Sequence, residues 1–379
     1  MTRGPFVVIS GGGTGGHVFL ALAIACALRA RGHEPETIEL VGSRRGQEAL
    51  LLDGQDFPLT LLPGRGVVRR LDPASLRANV GAVTGLLSAT IHEVLDLALR
   101  RPRVVVSVGG YASFPADAAA LVLGVPLVLV TIDAVPGAVH RLLGRRAAAN
   151  AVAFPGTGLP GAVVTGVPVR PEIAEIDRSP EGASRARKEL EIPEGRRVVG
   201  IVGGSLGARR LNAATLDLAE RWRCREDRAL YHVVGRRDAA QVRGEAGARG
   251  LGAGGKGLSY RLVDFEDRMA RLYEAVDVLV CRAGASTVAE LTVAGVPSVL
   301  VPLPGAPGDH QSANARVLVG EAAAMLVPDA ACNVDGLSPV LDELLDDPER
   351  LRSMGAAARA LGRPDAADRI SEMVLSHAR

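Results

Sequence analysis

The sequence predicts two Rossmann-like, doubly wound α/β domains in tandem, and two observations carry this prediction. Short, continuously apolar runs such as FVVI, RVVVSV and RVVGIV alternate with longer helical stretches rich in Ala and Leu, which is typical of buried parallel strands joined by helical crossovers. Two patterns also occur twice. Strand, glycine turn and helix occupy 7–28 and 198–219, while strand, glycine turn, helix, GVP and strand occupy 104–130 and 278–302.

The repeat sets the predicted domain boundaries. The stretch 166–182, GVPVRPEIAEIDRSPEG, is rich in proline and charge and separates the two halves. We expect a first domain over 1–167, a second over 168–355, and a C-terminal helical segment over 356–379 that packs back on the first. Ligands bind at the carboxyl ends of strands in such sheets, so the cleft between the domains is the predicted site.

Composition excludes several classes of protein. A net charge of +2 gives no sign of a nucleic-acid partner. The four cysteines have no paired metal-ligand spacing, which favours buried thiols in a reducing compartment such as the cytoplasm. The start, MTRGPFVVIS, leads directly into a strand, so we expect no export signal. The longest apolar run, 118–132, is shorter than the ~20 residues that a membrane span needs.

Three glycine-rich turns follow predicted strands, at 11–16, 203–207 and 282–287. Backbone N–H groups in such a turn and at the following helix N-terminus can bind anionic oxygens. The third turn leads to Glu290, whose carboxylate could accept hydrogen bonds from two ribose hydroxyls. Each turn alone could equally be a turn without a ligand, and Glu290 alone could be a solvated helix residue.

A polar loop follows the last predicted strand of the second half. LPGAPGDHQSANA, residues 303–315, carries Asp309, His310, Gln311 and Asn314. Four hydrogen-bonding side chains suit a hydroxyl-rich ligand such as a sugar, although a solvated loop would also explain them.

Taken in order along the chain, the motifs GGGTGGHV, GRGVVRR, VGGYASFPA, VPG, GVPVR, GGSLGARRLN, DFEDRM, CRAGASTVAEL and DHQSANA resemble those of glycosyltransferase family 28, which has the GT-B fold. The resemblance implies a metal-independent, inverting hexosyltransferase without a cofactor. Such an enzyme moves N-acetylglucosamine from UDP-N-acetylglucosamine to lipid-linked N-acetylmuramyl-pentapeptide (lipid I), forming lipid II for peptidoglycan. It would act at the cytoplasmic face of the cell membrane as a peripheral protein.

The resemblance also implies roles for individual residues. His17 would be the general base, with Tyr111 on the acceptor side and Asp133 near both substrates. Glu266 would contact uracil through its backbone, Glu290 the ribose and Gln311 the hexosamine. The remaining donor contacts would be Thr14, Gly15, Gly16, Arg170, Ser205, Ala285, Ser286 and Thr287.

Two departures from the family pattern fall in the first half. The family carries Glu-Gln-Asn where this chain has Thr131, Ile132 and Asp133, and it carries GNPVR where this chain has Val167. The donor half matches closely, so the use of a UDP-sugar is the firmer inference. A related family 28 transferase acting on another glycolipid or a secondary metabolite is the alternative, followed by a non-transferase Rossmann protein that binds sugar nucleotides.

Basic and apolar residues alternate over 64–89 in a way that suits an anionic membrane surface. The apolar residues recur at helical spacing and could instead pack on the sheet. The residues concerned are Arg65, Arg69, Arg70 and Arg77 together with Leu76, Val80, Val83 and Leu87.

Overall fold

The computed structural model describes residues 5–12, 15–44, 54–62, 73–204, 207–252 and 257–379, without the side chains of 73–82. The chain folds into two compact units. The first unit comprises Met1–Pro168 together with Arg363–Arg379, and the second comprises Val169–Gly362. The division at 362/363 places residues 356–362 in the second unit and the last helix in the first.

The first unit is built on a seven-stranded parallel sheet with the order β3-β2-β1-β4-β5-β6-β7. Its central strands are buried on both faces, which is why apolar residues predominate in them, with Ser10, Ser107 and Thr131 as buried polar exceptions. The strands are β1 Val7–Gly11, β2 Ile38–Ser43, β3 Leu59–Leu62, β4 Val104–Gly109, β5 Leu127–Thr131, β6 Ala149–Val152 and β7 Ala162–Val164.

Helices cover this sheet, and the chain returns to it at its end. They are α1 Gly15–Ala30, α2 Pro73–Arg100, α3 Phe114–Leu123, α4 Ala138–Leu143 and the last helix, α14 Ala366–His377. In α14 the side chains of Ile370 and Val374 are fully buried, and Glu372 accepts a hydrogen bond of 3.0 Å from Arg31 of the helix α1. The C-terminal helix is therefore part of the first unit's core.

The second unit repeats the plan with a six-stranded parallel sheet, order β10-β9-β8-β11-β12-β13. Its strands are β8 Arg197–Val202, β9 Arg228–Val233, β10 Ser259–Val263, β11 Val278–Cys281, β12 Ser298–Leu300 and β13 Ala324–Leu326. Its helices are α5 Pro171–Ala174, α6 Pro180–Glu189, α7 Arg209–Arg221, α8 Ala239–Ala248, α9 Met269–Ala275, α10 Ala285–Ala294, α11 His310–Gly320, α12 Val334–Asp346 and α13 Pro348–Leu361.

Both sheets have the strand order of a Rossmann fold, with the order reversing between two central strands. The reversal falls between β1 and β4 in the first unit and between β8 and β11 in the second. The predicted pair of doubly wound α/β domains is thereby confirmed. Ligands of such sheets bind beyond the carboxyl ends of the strands at this reversal. The described residues of the turns after these four strands, 11–12, 109–111, 203–204, 207–208 and 282–285, lie there.

Helix α2 carries a buried acidic side chain, that of Glu93. The side chain of Glu93 is fully buried, and neither carboxyl oxygen accepts a hydrogen bond from the described residues. Burial, reinforced by Asp96 and Glu39, raises the pKa of Glu93 to about 7. In the unfolded chain the pKa returns to about 4.5. The folded state therefore loses stability as the pH rises from 4.5 to 7, because only the unfolded chain releases this proton readily.

We expect Glu93→Gln to raise the melting temperature at pH 8 and to have little effect at pH 4.5. Glutamine keeps the shape but has no proton to release, so up to about 3 kcal/mol is recovered above pH 7. Thermal unfolding of both proteins across this pH range measures the difference. Glu36→Gln, at an exposed position of the same unit, is the control. Equal melting temperatures for Glu93→Gln and wild type at pH 8 would contradict this account.

Candidate active site

Glycines bring the β1 and β4 turns together in the first unit. The N–H of Gly12 donates to the carbonyl of Gly109 over 3.3 Å. Gly110 has a φ of +85°, and a Cβ there would lie 2.4 Å from the carbonyl oxygen of Gly12. Only glycine allows this approach. The helix α1 starts immediately after this turn, with the predicted residues Gly15 and Gly16 in its first turn.

His17 projects from the first turn of α1 toward the β4 turn. Gly109 has a φ of +93°, and a Cβ at this position would lie 3.5 Å from His17 Nε2 and 3.3 Å from His140 Cε1. The absence of a side chain at Gly109 thus makes room for two imidazole rings. The structure brings the predicted base to the carboxyl end of the sheet, beside a second histidine that the sequence analysis did not select.

The three residues that depart from the family pattern differ in exposure. Thr131 and Ile132 are 4% and 8% exposed, and the Thr131 hydroxyl lies 2.7 Å from His140 Nδ1. Asp133 is half-buried. Of these three side chains, Asp133 is therefore the one placed to contact a substrate, while the other two belong to the interior. Val167, the second departure, is also buried.

Tyr111 follows the β4 turn. Its hydroxyl donates to Ser43 Oγ over 3.1 Å, and its ring lines a small recess together with Leu62, Leu86 and Pro115. The predicted acceptor-side residue therefore lies at the same sheet edge as His17, at the carboxyl ends of β2 and β4.

In the second unit, the β11 turn presents the N-terminus of helix α10. Gly284 is the N-cap in an extended conformation, and no side chain caps the helix. The first-turn N–H groups have no partner within the helix and are available to an anion. Ser286 is exposed and Thr287 half-buried there, while Ala285 is buried. This geometry suits a diphosphate.

Glu290 lies one turn further along α10, where Arg170 and Tyr273 hold its carboxylate. Arg170 Nη2 is 3.4 Å from Glu290 Oε1, and the Tyr273 hydroxyl donates to Oε2 over 2.8 Å. Burial raises the pKa of Glu290, and Arg170 and Tyr273 oppose that rise. Two predicted donor contacts, 120 positions apart in sequence, are thus neighbours in the fold.

The carboxylate of Glu266 is engaged inside the second unit. It accepts hydrogen bonds from the Tyr231 hydroxyl and from the N–H of Arg268, the latter over 2.8 Å, and the residue is 7% exposed. The side chain therefore fixes the loop after β10. The role that the resemblance implies for Glu266 uses only the backbone of this loop.

The sequence predicts a loop for Asp309, His310, Gln311 and Asn314, and this prediction is wrong for the last three: Asp309 precedes helix α11, whereas the other residues lie within its N-terminal part. Gln311 Oε1 accepts from the N–H of Leu303 over 2.9 Å. The buried Asn314 donates to the carbonyl of Ala283 over 3.2 Å, which fastens α11 to the β11 turn. Gln311 remains half-exposed, and Asn314 supports the turn where the α10 N-terminus begins.

Comparison with known proteins gives one family for both units. Residues 7–152 match the N-terminal domain of glycosyltransferase family 28, and residues 198–370 match its C-terminal domain. The chain is 37% identical to the UDP-N-acetylglucosamine--N-acetylmuramyl-(pentapeptide) pyrophosphoryl-undecaprenol N-acetylglucosamine transferase of Desulforudis audaxviator, over 97% of both chains. This protein belongs to glycosyltransferase family 28. The family predicted from the motifs is confirmed, and the protein is a glycosyltransferase.

Two further relatives agree with the assignment to family 28. The chain is 39% identical to the protein of the same name from Alkalilimnicola ehrlichii, over 98% of this chain and 99% of that one. The crystal structure of Acinetobacter baumannii MurG is 28% identical, with a TM-score of 0.78 over 98% of this chain and 99% of that one. Family membership decides against the non-transferase alternative.

Sequence reasoning missed two supporting residues of this family 28 protein, Tyr273 and His140, and gave a third, Asn314, a different role. Tyr273, His140 and Asn314 are buried polar residues whose partners lie on other elements of the fold, and only the fold brings them to the site. Asn314 had been noted, but as a ligand contact. Thr14, Ser205, Arg65, Arg69 and Arg70 lie outside the described residues, as do the side chains of Leu76, Arg77 and Val80.

Proposed function

We propose that this transferase moves N-acetylglucosamine from UDP-N-acetylglucosamine to the muramyl 4-hydroxyl of lipid-linked N-acetylmuramyl-pentapeptide. The observation that carries the donor half of the proposal is the convergence of Arg170 and Glu290 beside the N-terminus of α10. A cation, a carboxylate and a row of N–H groups match the phosphates and the ribose of a nucleoside diphosphate. The names of the relatives, at 37% and 39% identity, support the acceptor half.

The second unit would bind the donor in parts. Glu290 would accept hydrogen bonds from the ribose hydroxyls while Tyr273 holds its other oxygen. The diphosphate would lie on the N–H groups of Ala285, Ser286 and Thr287, where a helix N-terminus stabilises negative charge. We assign the uracil to the backbone at Glu266 and the hexosamine hydroxyls to Gln311. Arg170 would add a positive charge near the phosphates.

His17 would act as the general base in a single displacement. Its neutral imidazole takes the proton from the acceptor hydroxyl as that oxygen forms a bond to the anomeric carbon. The bond from this carbon to the phosphate oxygen breaks on the opposite face, and UDP leaves with the electron pair. The configuration is inverted. Charge developing on the leaving diphosphate is stabilised by the preorganised N–H groups of α10.

The alternative acceptor, another glycolipid or a secondary metabolite, rested on the departures at 131–133. Thr131 and Ile132 are buried, so their side chains alter the interior rather than the surface that meets a substrate. Asp133, which occupies the last position of the motif, keeps a polar group at the half-exposed position. This arrangement supports the muramyl acceptor.

We expect UDP to raise the melting temperature of the protein, because a ligand that binds only the folded state stabilises it. At a UDP concentration of 100 Kd the gain is about 2.7 kcal/mol. Thermal-shift measurements with UDP, NAD and ATP at equal concentration test this. Stabilisation by NAD or ATP but not by UDP would contradict the donor assignment.

We further propose that the first unit contacts the membrane surface through an apolar stripe on α2. Val83, Leu87, Ile91, Leu95 and Leu99 recur every four residues, so they share one face of the helix, and each is 57–84% exposed. An exposed apolar surface of this extent marks an interaction site. A lipid-linked acceptor makes the bilayer its natural partner. No described helix is long and apolar enough to cross a bilayer, so contact would be at the surface.

Replacing Leu87, Ile91 and Leu95 together by serine is expected to reduce binding to anionic vesicles at least tenfold, because each buried Leu or Ile contributes about 1.5–3 kcal/mol when fully transferred from water. Co-sedimentation with vesicles of phosphatidylglycerol and phosphatidylethanolamine measures this. The matched control is Leu142→Ser on α4, which removes a leucine that is 62% exposed. If the triple variant sediments like wild type, α2 is not the contact.

A further inference from the structure

A chain of buried polar side chains lies beneath the glycine turn of the first unit. Asp117, in the first turn of α3, is fully buried. Its two carboxyl oxygens contact the hydroxyls of Ser10 on β1 and Ser107 on β4, each over 2.6 Å. Burial raises the pKa of Asp117 to about 7, against the effect of the serine hydrogen bonds. A carboxyl group in this position is costly to the fold, which points to a use other than stability.

The series of polar side chains continues from Ser107 to His140. Ser107 Oγ lies 3.1 Å from His140 Nε2, and Thr131 Oγ1 lies 2.7 Å from Nδ1. The ring is 3% exposed, and burial lowers the pKa of His140 to about 3, so the imidazole is neutral. Because both ring nitrogens have hydroxyl partners, the ring plane is fixed in one orientation.

The hydrogen-bond directions follow from the number of hydrogens available. Ser107 has one hydroxyl hydrogen, which it donates to Asp117 Oδ2. Ser107 must then accept from His140 Nε2–H, which leaves Nδ1 as an acceptor for the Thr131 hydroxyl. The carboxylate thereby selects the tautomer of His140. Each member polarises the next, so the chain acts as a unit.

His140 lies beside His17. A Cβ built on Gly109 would be 3.5 Å from the Nε2 atom of either histidine. The distance between the two Nε2 atoms is therefore at most the sum of these two distances. The series of polar side chains that starts at Asp117 thus ends at the neutral, fixed ring of His140, next to the proposed base His17.

We propose that His140 is a positioning residue for His17, with Thr131 and Ser107 fixing the ring that orients the base. This inference rests on the proposed function. It gives Thr131, a departure from the family pattern, a role of its own: its hydroxyl serves His140 rather than a substrate. A base held in the reactive orientation by a fixed neighbouring ring accelerates the proton transfer without affecting donor binding.

The test uses two substitutions at one position. Thr131→Val keeps the shape and removes the hydroxyl, whereas Thr131→Ser keeps the hydroxyl. We expect Thr131→Val to lower kcat about tenfold, the order expected for one buried hydrogen bond, with the donor KM within about twofold of wild type. Thr131→Ser should retain most of kcat. Equal impairment of both variants, or a rise in donor KM as large as the fall in kcat, would overturn the proposal.

A double-mutant cycle separates an effect through His17 from a general structural effect. In a His17→Ala background, Thr131→Val should change the residual rate by less than about twofold, because the base that His140 orients is absent. The same factor in both backgrounds would overturn the proposal. Ser107→Ala provides a second break in the chain should Thr131→Val fail to fold. A wild-type protein that binds UDP but transfers no sugar overturns the proposed function as well, whereas an active wild type with additive effects overturns this inference alone.

Discussion

Replacing His17 by alanine is expected to lower kcat by a factor of about 10²–10⁴, the range for loss of a general base. His17 lies in the first turn of α1 beside the β4 turn, next to Gly109, and the proposed mechanism gives it the acceptor proton rather than a contact with the donor. The donor KM should therefore change little. Initial rates at varied UDP-N-acetylglucosamine, with saturating acceptor, separate the two constants.

His92→Ala provides the matched control for His17, because its side chain is 65% exposed on helix α2 of the same unit. It should leave kcat unchanged. A loss of only a few-fold in His17→Ala would assign His17 a structural role at the start of the helix. A large rise in donor KM would place it among the donor contacts instead.

Glu290→Ala is expected to raise the donor KM tenfold or more while kcat falls much less. The ribose contacts are nearly the same in the ground state and the transition state, so their loss weakens binding rather than the chemical step. Hydrogen bonds to a charged group contribute about 1.5–3 kcal/mol. The variant also leaves the buried Tyr273 hydroxyl without its described partner. Donor affinity measured by calorimetry checks the kinetic result.

Glu290→Gln separates the effect of the negative charge from the effect of the size and position of the side chain. The amide oxygen can still accept from Tyr273, and the charge that pairs with Arg170 is removed. We expect an affinity between those of wild type and Glu290→Ala. An unchanged donor KM in Glu290→Ala would remove Glu290 from the donor site.

The parts of the fold that could be predicted from the sequence are those in which the type of residue alone indicates the element. The central strands β1, β4, β5, β8 and β11 are mostly apolar because helices cover both faces of each sheet. The strands β9 and β10 are not among the apolar runs named from the sequence. They carry Arg228, His232 and Arg261, and their polar side chains find partners such as Asp346 and Tyr260 only in the folded unit.

The site, like the fold, has some features that the local sequence reveals and others that depend on contacts made only in the folded protein. The glycine turns are recognisable because a close backbone approach excludes side chains, as at Gly110. Arg170 came from the family resemblance, whereas Glu290 was already a candidate because it follows the third glycine turn. No local pattern links these two residues, which are 120 positions apart. Tyr273 and His140 could not be selected, since a buried polar residue is recognised by its partners, and those partners are set by the fold.

The most direct test of the central claim is transfer of label from UDP-N-acetylglucosamine to a short-chain analogue of lipid-linked N-acetylmuramyl-pentapeptide. The purified wild-type protein is predicted to form one disaccharide-containing product with release of one UDP, and His17→Ala is predicted to form it 10²–10⁴ times more slowly. An analogue that lacks the muramyl 4-hydroxyl is the control and should accept no label. UDP binding without transfer to the complete analogue would contradict the claim and indicate a family 28 transferase with a different acceptor.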